Sequence, residues 1–233
     1  MRAVESADVT IGPGAIVGLV GESGSGKSTL GKMIAGLLRP DAGEVRYDGR
    51  PLKALRGEEQ KHFRRDVQMV FQNPLYSLNP RMTAGQTLAE PFVIHGCSAG
   101  SSPAAEAARL LDKVGLPAVY ATRFPRELSG GERQRVSIAR AIALKPRLVI
   151  LDEAVSSLDV LVRAGILNLL LDLHLKEKVG YLFISHDLRV VRHLCDRVAV
   201  MNSGRIVEAG PTREVLQRPR ESYTQTLIES SGL

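Results

Sequence analysis

Gly21-Glu22-Ser23-Gly24-Ser25-Gly26-Lys27-Ser28 fits the pattern G-x-x-x-x-G-K-[ST]. Its flanks decide the fold. Ala15 to Val20 is an apolar run of the length of a buried strand. Leu30 to Leu38 reads as a helix with Leu30, Ile34 and Leu37 on one face. Strand, glycine loop and helix are the setting that a phosphate-binding loop requires. The glycines let the backbone curl so that several N–H groups point at one anion, and the helix dipole adds to them. Gly21, Glu22, Ser23, Gly24, Ser25 and Gly26 would form the cradle. Lys27 would neutralise the β- and γ-phosphates of a nucleoside triphosphate. Ser28 would ligate Mg²⁺, and Thr29 would hold the α-phosphate.

A second stretch supplies acids. Arg147-Leu148-Val149-Ile150-Leu151-Asp152-Glu153 is an aliphatic strand ending in two carboxylates. Such a strand delivers them to the edge of a parallel sheet where phosphate loops sit. In P-loop ATPases the first acid holds Mg²⁺, a role that falls to Asp152. Glu153 is then placed to polarise the attacking water. A strand ending in solvated acids is the plain alternative.

Leu128-Ser129-Gly130-Gly131-Glu132-Arg133-Gln134 is the third. Ser129 suits a helix N-cap, and Gly130-Gly131 let a phosphate approach the backbone. A helix is expected from about Glu132 to Leu144.

Together these motifs resemble the nucleotide-binding subunit of an ABC transporter, over nearly the whole chain. The resemblance implies further roles. Ser129, Gly130 and Gly131 would bind the γ-phosphate held by an opposite subunit, so that two ATPs lie between head-to-tail subunits. Gln72 would reach Mg²⁺ and the water and begin a mobile linker. Asp159, in Ser156-Ser157-Leu158-Asp159, would meet the partner subunit. His186, in Ile184-Ser185-His186-Asp187, would contact the γ-phosphate. The implied catalytic set is Glu153, His186 and Gln72. The implied Mg²⁺ set is Ser28, Gln72 and Asp152.

More narrowly, Phe63 to Gln72, Ser77 to Met82, Leu151 to Asp159 and Tyr181 to Leu188 are similar to the ATPases of dipeptide, oligopeptide and nickel importers. Such importers pair two ATPases with two integral membrane subunits and an extracytoplasmic binding protein. Whether the pair is a homodimer or a heterodimer stays open. So does a non-transport role, as in a phosphonate-degrading complex. A DNA-repair type would insert long coiled coils, whereas only 55 residues separate Gln72 from Leu128, without sustained heptads.

Composition narrows the setting. No run approaches the ~18 apolar residues that span a bilayer. Leu161 to Leu175 is broken by Arg163, Asn168, Asp172 and His174 and reads as an amphipathic core helix. No secretory signal is visible, so a peripheral place on the cytoplasmic face of the plasma membrane is expected. The two cysteines, Cys97 and Cys195, lack metal-type spacing and read as ordinary thiols. Net charge is +6, with a cluster at Lys61-His62-Phe63-Arg64-Arg65. Aromatic content is only 4%, so a solvated basic face is favoured over nucleic-acid binding.

The expected architecture is α/β. A P-loop NTPase core of mostly parallel sheet, with an antiparallel β subdomain, occupies residues 1–72 and 136–233. A helical subdomain is inserted at 73–135. Residues 1 to 71 read as strands around the loop helix, including Glu44 to Tyr47 and Val67 to Phe71. Asn202-Ser203-Gly204 signals a hairpin between Val198 to Met201 and Arg205 to Glu208. Thr212 is expected to cap a helix through Leu216, and Tyr223 to Glu229 to form a last one. Family members carry an adenine-stacking aromatic upstream of the loop. Here the first aromatic is Tyr47. A truncated start is the expectation, with a loss of about 10- to 100-fold in nucleotide affinity.

Overall fold

Ile16–Val20 forms strand β1, and all five of its residues are buried. The computed structural model describes residues 3–73, 77–96 and 100–233. By backbone contacts the chain divides into two units.

The first unit comprises Met1–Met69, Arg147–Glu153 and Lys178–Leu233. Its main sheet has the order β4-β5-β6-β1-β7-β8. Here β4 is Val67–Val70, β5 Leu148–Asp152, β6 Gly180–Ser185, β7 Arg197–Asn202 and β8 Arg205–Pro211. β1 pairs in parallel with β6 and β7, and β5 in parallel with β6; β7 and β8 are antiparallel. Near-continuous aliphatic runs are what strands covered on both faces require. Two glycines let the covering helices come close. A Cβ on Gly18 would lie 2.7 Å from Val191 Cγ1, and one on Gly31 would lie 2.6 Å from Ile184 Cδ1. Val17, Leu19, Leu30, Ile150, Leu182, Ile184, Ala199 and Met201 form one hydrophobic core cluster.

The expected hairpin is present. Ser203 and Gly204 both have positive φ, as a tight two-residue turn needs. A smaller hairpin joins β2, Arg46–Tyr47, to β3, Arg50–Pro51, through Asp48 and Gly49. β2 is shorter than the expected strand from Glu44.

Helix α1, Lys27–Ile34, stops before the expected Leu38. Gly36 has φ 70°, its N–H donates to Met33 O, and the Leu37 N–H donates to Lys32 O. This glycine-terminated cap turns the chain outward, and Leu37 is 56% exposed rather than part of the apolar face. Helix α2, Gly57–Asp66, lies in a stretch read as strands. Only Phe63 is buried in it, packed edge-on against Tyr47 at 5.4 Å, so no apolar stripe marks it. Lys61, His62, Arg64 and Arg65 are exposed on this helix.

The second unit comprises Val70–Pro146 and Ala154–Glu177, a wider stretch than 73–135. It holds α3, Ala84–His95, α4, Pro103–Lys113, α5, Gly130–Ile142, and α6, Val160–Glu177. Thr83 and Gln86 make a capping box on α3, and the Ser102 hydroxyl accepts from Ala105 N on α4. α5 starts two residues before the expected Glu132. In α6, Ile166, Leu170 and Leu173 are buried, whereas Leu161 is 85% exposed.

Three short helices close the first unit: α7, Leu188–Leu194, α8, Thr212–Gln217, and α9, Ser222–Ser230. Thr212 does not cap α8. It is the first helical residue, and its buried hydroxyl has no hydrogen-bond partner among the described residues. No helix of the described residues is long and apolar enough to cross a membrane.

Candidate functional site

Strand register brings three motifs to one sheet edge. Val20 is level with Ser185, and Asp152 is level with Ile184. Gly21, Glu153 and His186 are therefore each within two positions of the same end of adjacent parallel strands. This is the end at which ligands sit in such sheets.

The glycine loop is held by backbone on several sides. Gly21 has φ 150°, and a Cβ there would lie 2.1 Å from Met201 O. Gly26 has φ 106° and begins α1; a Cβ there would lie 2.2 Å from Ala3 O. The Ser25 carbonyl accepts from Gly204 N at 2.9 Å. Lys27 is buried, and its Nζ donates to Gly21 O at 2.9 Å, Glu22 O at 2.7 Å and Ser25 Oγ at 3.4 Å. Ser28 Oγ donates to Asp152 Oδ1 at 2.7 Å. Thr29 is half-buried on the first turn of α1.

Burial pushes the Lys27 ammonium below its ordinary pKa, against the carboxylates of Glu153, Asp152 and Glu22. Burial likewise pushes Asp152 up, against the Ser28 hydrogen bond and the charges of Lys32 and Lys27. Asp152 is 3% exposed. A polyanion at Lys27 and a cation at Asp152 would each favour the charged form that burial disfavours.

Glu153 has φ 46°, a left-handed conformation that side chains other than glycine avoid. Its N–H donates to Ile184 O at 3.0 Å. That hydrogen bond keeps the chain turning sharply at the strand end. Glu153 Oε1 lies 3.5 Å from His186 Nδ1, with His186 about half exposed and Glu153 largely covered. Backbone strain on an acid at this end of the sheet is a pointer to function.

The remaining expected residues belong to the second unit. Gln72 is exposed, two residues past β4. Ser129 caps α5: its Oγ accepts from Glu132 N at 3.3 Å, and its N–H donates to Glu132 Oε2 at 2.6 Å. Tyr120 Oη donates to Glu132 Oε1 at 2.6 Å, and Arg123 lies 4.1 Å over the Tyr120 ring. These bonds, Tyr120 foremost, hold the Glu132 carboxyl below the usual range. Gly130 faces Leu158, and a Cβ on Gly131 would lie 2.4 Å from Val162 Cγ1. Asp159 caps α6: its Oδ1 accepts from Val162 N at 2.9 Å. The Ser-Gly-Gly turn and Asp159 thus meet through adjoining helix starts.

Some residues escaped the sequence reading. Glu132 was readable, because Ser-x-x-Glu is a capping-box signature. Gly204 was legible only as a turn residue and Tyr223 only as part of a helix; their place at the glycine loop, like that of Tyr120 and the Met201 carbonyl at their sites, had no local signal. The Tyr223 hydroxyl accepts from Glu22 N at 3.1 Å across 201 positions of sequence. Cys195 is buried, and burial pushes its thiol up to about 12, as an inert core thiol requires. Cys97 lies outside the described residues. No group of three or more His, Cys, Asp or Glu among the described residues could hold a metal by itself.

Comparison with known proteins gives the family and the fold. A family model described as ABC transporter matches residues 4–156. The glutathione import ATP-binding protein GsiA of Escherichia coli K12 is 47% identical over 228 residues, 98% of this chain and 37% of that protein. Its counterpart in Pectobacterium atrosepticum is 45% identical over 230 residues, 99% of this chain and 37% of that protein. The chain thus spans little more than a third of the length of these curated relatives. Among solved structures, the ATP-binding cassette MJ0796, dimeric in a post-hydrolysis state with ADP and Pi, superposes with a TM-score of 0.80. It is 31% identical, and the match covers 91% of each chain. CbiO1 of Clostridium perfringens, part of an ABC transporter complex, matches with a TM-score of 0.80 and 26% identity over 93% of this chain and 84% of its own. The matched cassettes, the parallel sheet and the glycine loop at its edge agree, and the chain belongs to the ABC transporter family.

Proposed function

We propose that this chain binds and hydrolyses ATP and that the hydrolysis powers an importer of small peptides. One observation carries the chemistry. The register of β1, β5 and β6 groups Lys27, the Ser28–Asp152 pair and the Glu153–His186 pair at one edge of one sheet.

The backbone N–H groups of the loop and the α1 N-terminus orient the β- and γ-phosphates, and Lys27 offsets their charge. Ser28 and Asp152 offer a hydroxyl and a carboxylate oxygen, the hard donors that suit Mg²⁺. One carboxylate without a wider acidic cluster also suits Mg²⁺, which takes its remaining ligands from phosphate and water. Bound there, the cation would offset charge on the phosphates. Glu153 orients the attacking water and accepts its proton at a carboxylate oxygen. His186, next to Glu153, steadies the transferring phosphoryl group, and Gln72 contributes to the cation and the water. Ser129, Gly130 and Gly131 of one subunit complete the phosphate shell of another, with Asp159 at that contact. The dimeric state of MJ0796 supports a pairing of two such subunits.

The importer reading rests on the relatives. A glutathione import protein supports a peptide-sized cargo. Two integral membrane subunits and an extracytoplasmic binding protein complete the assembly, with this chain at the cytoplasmic face of the membrane. Measuring Mg-ATP turnover and ATP binding separately tests the chemistry. Glu153→Gln should lower turnover by about 100-fold or more while ATP still binds. Turnover close to wild type would remove Glu153 from its role.

A further inference from the structure

The backbone of Glu22 is held on both sides. Its carbonyl, in the peptide to Ser23, accepts from Lys27 Nζ and from Ser25 N, bonds internal to the loop. Its N–H donates to the Tyr223 hydroxyl at 3.1 Å, a bond to the last helix of the chain. Tyr223 is not carried by a loose end. Thr224 and Leu227 of α9 are buried. The Glu208 carboxylate, on β8, accepts from Arg220 N at 3.0 Å and Glu221 N at 3.3 Å, holding the approach to the helix. Beyond its other end Arg189 Nη2 donates to Ser231 O at 3.0 Å. A helix fixed at both ends therefore presents one phenol to the second residue of the glycine loop. The neighbouring Gly21 has no slack, because Met201 O occupies the place of a side chain. The Glu22 N–H belongs to the Gly21–Glu22 peptide, whose carbonyl, Gly21 O, accepts from Lys27 Nζ at 2.9 Å, so the orientation of that peptide sets where it meets the ammonium that must lie beside the phosphates.

We propose that Tyr223 is a positioning residue of the nucleotide site: its hydroxyl holds the Gly21–Glu22 peptide, and through the Gly21 carbonyl Lys27, in the phosphate-ready form of the loop. This rests on the ATP-binding reading above. Tyr223→Phe removes the hydroxyl and keeps the ring. The expected result is a rise in KM and in the dissociation constant for Mg-ATP of about 3- to 10-fold, one exposed hydrogen bond's worth, with kcat within about twofold. In the nucleotide-free protein the Glu22 amide should exchange with deuterium faster in Tyr223→Phe than in wild type. Glu229→Ala, an exposed change on the same helix, should alter neither quantity. Unchanged Glu22 exchange overturns the proposal whatever ATP does. Faster exchange with an unchanged KM and dissociation constant overturns it as well, leaving Tyr223 a structural contact. If wild type itself binds no ATP while Tyr223→Phe still speeds Glu22 exchange, the ATP reading fails and the hold on the loop stands.

Discussion

Ser28 and Asp152, 124 positions apart in sequence, share a hydrogen bond of 2.7 Å from hydroxyl to carboxylate. It joins the first turn of α1 to the end of β5. It is also the foremost influence opposing the upward push of burial on the Asp152 pKa, ahead of the charges of Lys32 and Lys27.

Ser28→Ala should therefore have two separable effects. Without the hydroxyl, Asp152 is pushed further up in the folded state. An acid whose folded pKa rises binds its proton more tightly when folded, so stability falls as pH rises through that value. Nucleotide-free Ser28→Ala should lose more stability relative to wild type at about pH 8 than at the lowest pH at which the protein stays folded. Adding Asp152→Asn should abolish that difference. Separately, the Mg²⁺ concentration needed for half-maximal turnover should rise about 10- to 100-fold. Denaturant melts at the two pH values and a Mg²⁺ titration check both.

Glu153 sits at φ 46°. A residue without a Cβ adopts that conformation at no steric cost, whereas other side chains give up roughly 1 kcal/mol. Glu153→Gly should stabilise the nucleotide-free protein, or leave it unchanged where added chain entropy offsets the relief, and still abolish turnover. Loss of more than about 1 kcal/mol would mean that the Glu153 side chain supports the fold rather than the chemistry.

Gly131 lies in the first turn of α5, where alanine would ordinarily favour the helix by about 1 kcal/mol. Here a Cβ would lie 2.4 Å from Val162 Cγ1. Overpacking against a β-branched side chain wins, so Gly131→Ala should cost about 1–3 kcal/mol. Val162→Ala in the same chain should restore most of that stability. Turnover that stays low in the double variant would assign Gly131 a role at the phosphate beyond packing.

Cys195 is buried against Gly18, with its thiol pushed up to about 12. The thiolate is scarce in the folded protein near pH 8, so alkylation there should be slow and should follow unfolding. Labelling of Cys195 that is as fast in native protein as in denatured protein would contradict its burial.

Local chemistry carried much of this molecule in its sequence. Glycines and a lysine ahead of a helix specify a phosphate cradle because backbone conformation and charge act within a few residues. Aliphatic runs specify buried strands. Asn-Ser-Gly specifies a two-residue turn because φ must be positive there. Ser129 as a cap needs only its own hydroxyl and the next turn. Tertiary structure alone decided the rest. The outward turn after Ile34 depends on the Gly36 cap, which moves Leu37 off the apolar face. Helix α2 buries one side chain and so leaves no periodic trace. Thr212 has the chemistry of a cap but falls inside α8. The meeting of Asp152 with Ser28, of Glu153 with His186 and of Tyr223 with Glu22 follows from strand register and helix docking. Those are contacts between residues far apart in sequence, and no local pattern encodes their distance.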